Sequence, residues 1–540
     1  MTNAGRRRSG LLLPLFSCPS TASWGIGEIA DLAPLTAWLA RAGQGALQLL
    51  PLNEMADGQQ SPYSAVSALA IDPLYIRMAD VPEFAAAGGE SGLSAADRRL
   101  LADVRGAPRI DYEGVRQLKR TALAAAFGRF YDDEWIRDGE RAREFRDFLL
   151  DQAHWVDDYA LFRALQDQAP GTPWTLWPAP LRDREPAALE RARRDFAKRI
   201  LYYAYVQWLA DDQWRAAHRQ ARANGVALFG DLPFMVAGDS ADVWVHQAIF
   251  RLDVSVGAPP DAFSATGQDW GLPLYRWDEI VKVGFPWLRL RARRAAALYD
   301  GFRIDHVVGF YRTFGKPRDG GPAFFTPSGE AEQLALGERV LAVLSESGAE
   351  LVAEDLGTVP AFVRESLARL GIPGFRVFRW ERRWDEPGQP FRDPADYPTV
   401  SLATSGTHDT EPLAIWWASV SAEDKRQIDR LPTIARVMNG DSVDDRPFNP
   451  SVRDALLEAL FAAGSNLLIL PVQDVFGWDD RINEPATVTE KNWTFRLPWP
   501  CDRLDEAPDA YERRERLREW STTYGRASDS ERQESRPSRT

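Results

Sequence analysis

Short apolar runs followed by longer amphipathic stretches recur along the chain. That alternation predicts strands separated by helices. The runs fall at residues 47–52, 226–230, Gly301–Ile304, Glu350–Ala353, 375–378, 400–403 and 466–470, with a further strand expected near 68–75. Several end on a polar or acidic residue. Strands that alternate with helices favour a parallel sheet, and a barrel with insertions can occupy all 540 residues as one unit. From about residue 80 to 222 the pattern changes to helical periodicity rich in Ala, Arg and Glu, as at Phe196, Ile200, Tyr203 and Val206. The expected organisation is therefore a barrel start over 1–79, a mainly helical insertion over 80–222, the rest of the barrel over 223–520 and a disordered polar tail over 521–540. Residues 253–273 and 385–398 read as irregular loops.

Composition narrows the classes. A net charge of −13 with scattered arginines argues against a polyanionic partner, so no nucleic acid is expected. No apolar run approaches membrane-spanning length. The start, with three arginines before L-L-L-P-L-F, imitates a signal peptide, but its apolar core is short and broken by Pro14. The expectation is a cytoplasmic protein away from membranes. Two cysteines make no disulfide framework, and five histidines without ligand spacing give no metal site. Twenty tryptophans are many. Such rings fill cores by default and can also stack on sugars.

Three carboxylates carry the candidate chemistry. Asp305 ends G-F-R-I-D-H, Glu354 ends E-L-V-A-E, and Asp409 sits in S-G-T-H-D-T. They lie 49 and 55 residues apart, one to two strand–helix units each, which gathers them at one rim of a parallel barrel. Carboxylates so placed can break and remake a glycosidic bond. Arg303 lies two positions before Asp305, on the same strand face. A guanidinium so close favours an ionised aspartate, which suits a nucleophile. An Arg–Asp ion pair closing a barrel end fits those residues equally well. Glu354 follows an apolar run, and burial there would hold its proton for general acid catalysis. A capping or salt-bridging role fits it too. Asp355 points to the opposite face of the strand and suits a helix N-cap. Asp409, with His408 beside it, could grip sugar hydroxyls as the ring flattens.

A rival class rests on Gly25-Ile26-Gly27-Glu28-Ile29-Ala30, which matches a dinucleotide fingerprint, with a plausible strand at 11–16 before it and Glu54 after a second strand. The gap between that strand and Gly25 is too long for a turn directly off the strand. No second nucleotide motif follows.

Ordered blocks from about Ser9 to Pro498 resemble glycoside hydrolase family 77, the 4-α-glucanotransferases. They include S-W-G-I-G-E, L-Q-L-L-P-L, S-P-Y-S-A-V-S-A at 61–68, D-Y-A-L-F, W-T-L-W-P, G-D-L-P-F-M-V-A-G-D-S-A-D-V-W at 230–244, P-P-D-A-F-S-A-T-G-Q-D-W-G at 259–271, P-V-Q-D-V-F-G and R-I-N-E-P. The resemblance implies a TIM (β/α)8 barrel with helical subdomains around a cleft. It implies a retaining double displacement with Asp305 as nucleophile, Glu354 as acid/base and Asp409 stabilising the transition state. Tyr63, Asp231, Phe263, Gln268, Trp270, Arg303, His306, Asp355 and His408 are the implied substrate contacts, with Phe263 and residues 267–270 in a loop over the site. The implied partners are maltooligosaccharides and other α-1,4-glucans, with glucose or a glucan as acceptor and no cofactor. Hydrolysis on the same site and glucan binding without turnover are the alternatives. The chain departs from the family at Leu47, where Trp is usual, at Leu272 in W-G-N-P, and around Thr410, Ile482 and Ala486.

Overall fold

The computed structural model describes residues 6–260, 267–485 and 487–527. Twelve strands occur among them: β1 (Arg8–Leu12), β2 (Ala46–Gln48), β3 (Ala227–Leu232), β4 (Phe250–Ala258), β5 (Gln268–Tyr275), β6 (Gly301–Ile304), β7 (Thr313–Pro317), β8 (Phe324–Thr326), β9 (Glu350–Ala353), β10 (Gly374–Val377), β11 (Ser401–Thr404) and β12 (Leu467–Pro471). Eight close into a parallel barrel in the order β1-β12-β11-β10-β9-β6-β3-β2. The remaining four form an antiparallel sheet ordered β5-β4-β7-β8. The barrel strands are short and almost wholly buried, because helices cover the outside and side chains fill the inside. The expected TIM barrel is thus observed.

The seam joins sequence-distant ends. β1 pairs with β12 from Arg8↔Leu467 to Leu12↔Pro471. Behind it the fully buried Arg526 donates to the carbonyls of Phe461, Ala463, Ser465 and Arg8 at 2.8–3.2 Å. With no carboxylate among those partners, burial lowers its pKa to about 9.

Several expectations need correction. The strand near 68–75 is absent; Ile71 makes only an isolated bridge with Asn53, and Pro73–Tyr75 is a 3-10 turn. The missing barrel strand is β1, which begins at Arg8 and overlaps the plausible strand at 11–16 only over Leu11 and Leu12. Residues 253–273 are not simply loop, since β4 and β5 pair as an antiparallel hairpin. The stretch 80–222 also divides. Its last helix, Ala197–Ala223, belongs to the barrel wall, with Trp214 Nε1 donating to Leu298 O at 2.7 Å and His218 Nε2 3.0 Å from Asp300 beside β6. Residues 521–527 do not behave as a tail. The helix Pro508–Thr523 runs through Ser521, which is buried against Ser9 and Gln44, and Arg526 is locked in the seam.

The glycine motif near the start has a packing role. Gly25 adopts φ +80°, and a Cβ on Gly27 would stand 1.9 Å from the carbonyl oxygen of Leu15. Residues Leu15–Ser17 form a 3-10 turn rather than a strand, and the next α-helix begins only at Leu32. Glu28 from the motif is buried in a network with Arg77 and with Lys119, whose Nζ lies 2.5 Å away. The geometry of a dinucleotide turn is not there. Tryptophans follow their default use, with 13 of the 20 buried, which leaves few as open sugar platforms.

Candidate active site

Strand register brings the first two carboxylates together. In β3 and β6, Asp231 stands opposite Arg303 and Leu232 opposite Ile304. In β6 and β9, Ile304 stands opposite Ala353. Asp305 and Glu354, each one residue past its strand, therefore emerge side by side at the C-terminal mouth. Backbone bonds continue the ladder there: Asp305 N donates to Leu232 O at 3.1 Å and Glu354 N to Ile304 O at 3.0 Å.

Arg303 organises the mouth. Its Nη1 lies 2.9 and 2.7 Å from the two Asp231 oxygens. Its Nη2 lies 2.8 Å from Asp305 Oδ1 and 3.7 Å from Glu354 Oε2. The sum of those last two distances, about 6.5 Å, is a ceiling on the separation of the two carboxylate oxygens. Any angle at the nitrogen brings them closer, toward the roughly 5–5.5 Å of a retaining pair. Burial works against the Arg303 charge, but Asp231 and Asp305 outweigh it and hold the guanidinium protonated.

Glu354 accepts backbone bonds from His306 N at 2.9 Å and Leu356 N at 2.8 Å. Burial raises its pKa to about 7, against the lowering pull of Arg303 and with help from the Asp305 charge. A carboxyl that keeps its proton near neutrality can serve as acid and then as base.

Asp409 reaches the site differently. It lies five residues past β11, through a tight turn in which Thr407 N binds Thr410 Oγ1 and Asp409 N binds Thr407 Oγ1. Burial would raise its pKa, but His408, Asn483 and Arg303 overcome it and hold the carboxyl down at about 2. The His408 ring lies 3.3 Å from Asp409 and stacks on Tyr63 with centroids 5.5 Å apart. Tyr63 OH donates to Asp231 Oδ2 at 2.7 Å and lies 3.1 Å from His408 Nε2. Asp231, Tyr63, His408 and Asp409 thus form a connected chain leading from Arg303.

Other expected contacts divide. His306, at φ +45°, packs edge-to-face against Trp270 with centroids 5.0 Å apart. Trp270 in turn donates from Nε1 to Gln268 at 2.9 Å, so the start of β5 flanks the mouth. Phe263 lies outside the described residues. Asp355 is not in the cluster. Its carboxylate accepts from Phe375 N at 2.7 Å, and a Cβ on Gly374 would stand 2.7 Å from it. The strand alternation that presents Glu354 turns Asp355 into the barrel wall.

Three contributors had no role assigned from sequence. Asn483 donates from Nδ2 to Asp409 Oδ1 at 2.7 Å, and Arg481 donates from Nη2 to the Asp409 carbonyl at 3.0 Å. Trp493 closes the same corner, 5.8 Å from Tyr63 and 5.9 Å from His408. The polar block R-I-N-E-P without apolar periodicity was the available signal.

A closed parallel barrel with carboxylates converging at the C-terminal ends of its strands is the architecture of a barrel enzyme. The chain belongs to glycoside hydrolase family 77, the 4-alpha-glucanotransferases, whose family model matches residues 13–502. It is 33% identical to the 4-alpha-glucanotransferase of Thermus thermophilus, over 91% of this chain and 95% of that one. It is 31% identical to the 4-alpha-glucanotransferase of Chlamydia pneumoniae, with 91% of each chain covered. Among solved structures, the amylomaltase from Streptococcus agalactiae in complex with acarbose superposes with a TM-score of 0.79 at 27% identity, covering 97% of this chain and all of that one.

Proposed function

We propose that this enzyme moves α-1,4-glucan segments by a retaining double displacement in which Asp305 is the nucleophile and Glu354 the acid/base. In the first step an Asp305 oxygen bonds to the anomeric carbon. The glycosidic C–O bond breaks, and its oxygen leaves with the Glu354 proton. In the second step the 4-hydroxyl of glucose or another glucan attacks that carbon and gives its proton to Glu354. The Asp305 ester bond breaks, and the original anomeric configuration returns. Asp409, held ionised, stabilises the oxocarbenium character at each transition state. Asp231, Tyr63 and His408 order the sugar beside it, with Gln268, Trp270 and His306 on the opposite flank. Phe263 belongs to this reading as a covering contact.

The observation that carries the reading is one guanidinium touching both carboxylates while Glu354 titrates near neutrality. No helix is long and apolar enough to cross a membrane among the described residues. A cytoplasmic setting, where soluble glucans are at hand, suits the proposed substrates.

Incubation with maltotriose tests the function. Transfer gives glucose together with a ladder of longer maltooligosaccharides. Glucose and maltose without longer chains would identify a hydrolase instead, and unchanged maltotriose would overturn the reading for that donor.

A further inference from the structure

The antiparallel sheet beside the cleft carries a second concavity. A groove of about 620 Å³ is bounded by this sheet and the helices Trp277–Lys282 and Glu330–Ser345. Its size falls within the ordinary range of ligand pockets. The floor is apolar, formed by Leu274, Val281 and Leu336. Phe324, half-buried on the edge strand β8, adds an aromatic wall. Charged side chains of both signs complete the lining.

Arg251 is spent on Asp253, with Nη2 2.6 Å from its carboxylate, and four other charges are free. Among the described residues, Arg339 has no hydrogen bond or ion pair, and its guanidinium lies 5.1 Å over the Phe285 ring. Among the described residues the Arg276 guanidinium donates only from Nε, to Phe250 O at 3.0 Å. Asp278 and Glu332 accept from no protein group among the described residues. Free donors and free acceptors around an apolar floor match a neutral, many-hydroxylated ring. Its C–H face lies on Phe324 and the floor, and its hydroxyls exchange hydrogen bonds with guanidinium and carboxylate alike. An anion would meet the two carboxylates, and an apolar peptide would bury all four charges unpaired.

One strand links the groove to the mouth of the barrel. β5 begins at Gln268 and Trp270, against His306, and runs eight residues to Tyr275 on the groove. At about 3.3 Å per residue the strand spans roughly 26 Å. We propose that this groove is a second binding site for an α-1,4-glucan chain, remote from the carboxylates, which retains long substrates. The proposal rests on the glucan reading of the cleft.

The test compares chain lengths in the full protein carrying Phe324→Ala, and separately Arg339→Glu at an exposed position. Wild-type turnover of maltotriose establishes the cleft reading independently. Each variant should keep maltotriose kcat and KM, which also shows that it folds, while KM for long amylose rises about fivefold. In an Asp305→Asn background, where turnover stops, each should migrate faster than its parent through an amylose-containing native gel. An unchanged amylose KM and unchanged migration in Arg339→Glu would overturn the second site while leaving the proposed function standing. Equal losses on maltotriose and amylose would overturn it as well, since the groove would then act on the cleft itself.

Discussion

Replacing Glu354 by Gln removes one ionisable proton from the mouth and little else. The side chain keeps its length, and one amide oxygen still accepts from either His306 N or Leu356 N. The amide nitrogen cannot accept from the other, and an unsatisfied donor there costs about 1–2 kcal/mol. The opposing gain is relief of a carboxylate that burial makes unwilling to ionise. With its folded pKa raised to about 7 from a reference of 4.5, the native carboxyl holds its proton longer than the unfolded one, so Glu354 costs stability as pH rises through that interval. Above pH 7 the two effects oppose each other, and the variant should stay folded. Its rate should not survive. Loss of a positioned acid/base lowers kcat/KM by about 10²–10⁴, or roughly 3–5 kcal/mol of transition-state stabilisation. The assay is the initial rate of maltotriose disproportionation from pH 5 to 9. Wild type should decline about tenfold per pH unit above an inflection near 7, as the protonated acid disappears, and the variant should lose that inflection. Retention of activity within threefold, or an inflection near 7 that persists in the variant, would refute the assignment.

Other consequences are as direct. Asn483→Ala removes the 2.7 Å bond to Asp409 and should lower kcat about tenfold with a smaller change in KM, read from maltotriose kinetics. Tyr63→Phe deletes the hydroxyl bridging Asp231 and His408 and should cost about 1–2 kcal/mol in kcat/KM, with the stacked ring retained. Gly27→Ala drives a Cβ against backbone at Leu15 and should destabilise by about 2–3 kcal/mol or more, measured by urea unfolding. Arg526→Met takes the donor from the buried Ser465 carbonyl, while Arg7 still reaches those of Phe461 and Ala463, and should destabilise by about 1–3 kcal/mol, with maltotriose kinetics of the folded fraction unchanged.

Most of the barrel was legible in the sequence because its strands are buried on both faces and read as plain apolar runs. β1 was displaced because its first residues, Arg8, Ser9 and Gly10, carry no apolar signal. The hairpin of β4 and β5 read as loop because glycine, proline and aspartate interrupt it, although Pro273 pairs in register with Ser255 and two irregularities take up the rest. The helix Ala197–Ala223 has the same periodicity as the insertion helices before it, so pattern alone could not assign it to the wall. At the site, Asp305 and Glu354 were readable as acids one step past a strand, and register then makes them neighbours. Asp355 shows the limit of adjacency, since neighbours along a strand face opposite ways. Asn483 and Trp493 approach Asp409 through tertiary packing of a loop without periodicity, and no local spacing encodes that.

The seam between β1 and β12 bears on how the chain acquires its shape during synthesis. The partner of Leu12, Pro471, lies 459 residues further on. At translation speeds of about 5–20 residues per second, β1 waits roughly 20–90 s for that partner. Throughout that interval the growing sheet has two open edges, and open parallel edges invite pairing with other chains. Ring closure becomes a late, long-range event, the kind that slows folding most. Nascent chains stalled before Leu467 should therefore be protease-sensitive and chaperone-bound, and protection should arrive in one step once Arg526 has cleared the ribosome.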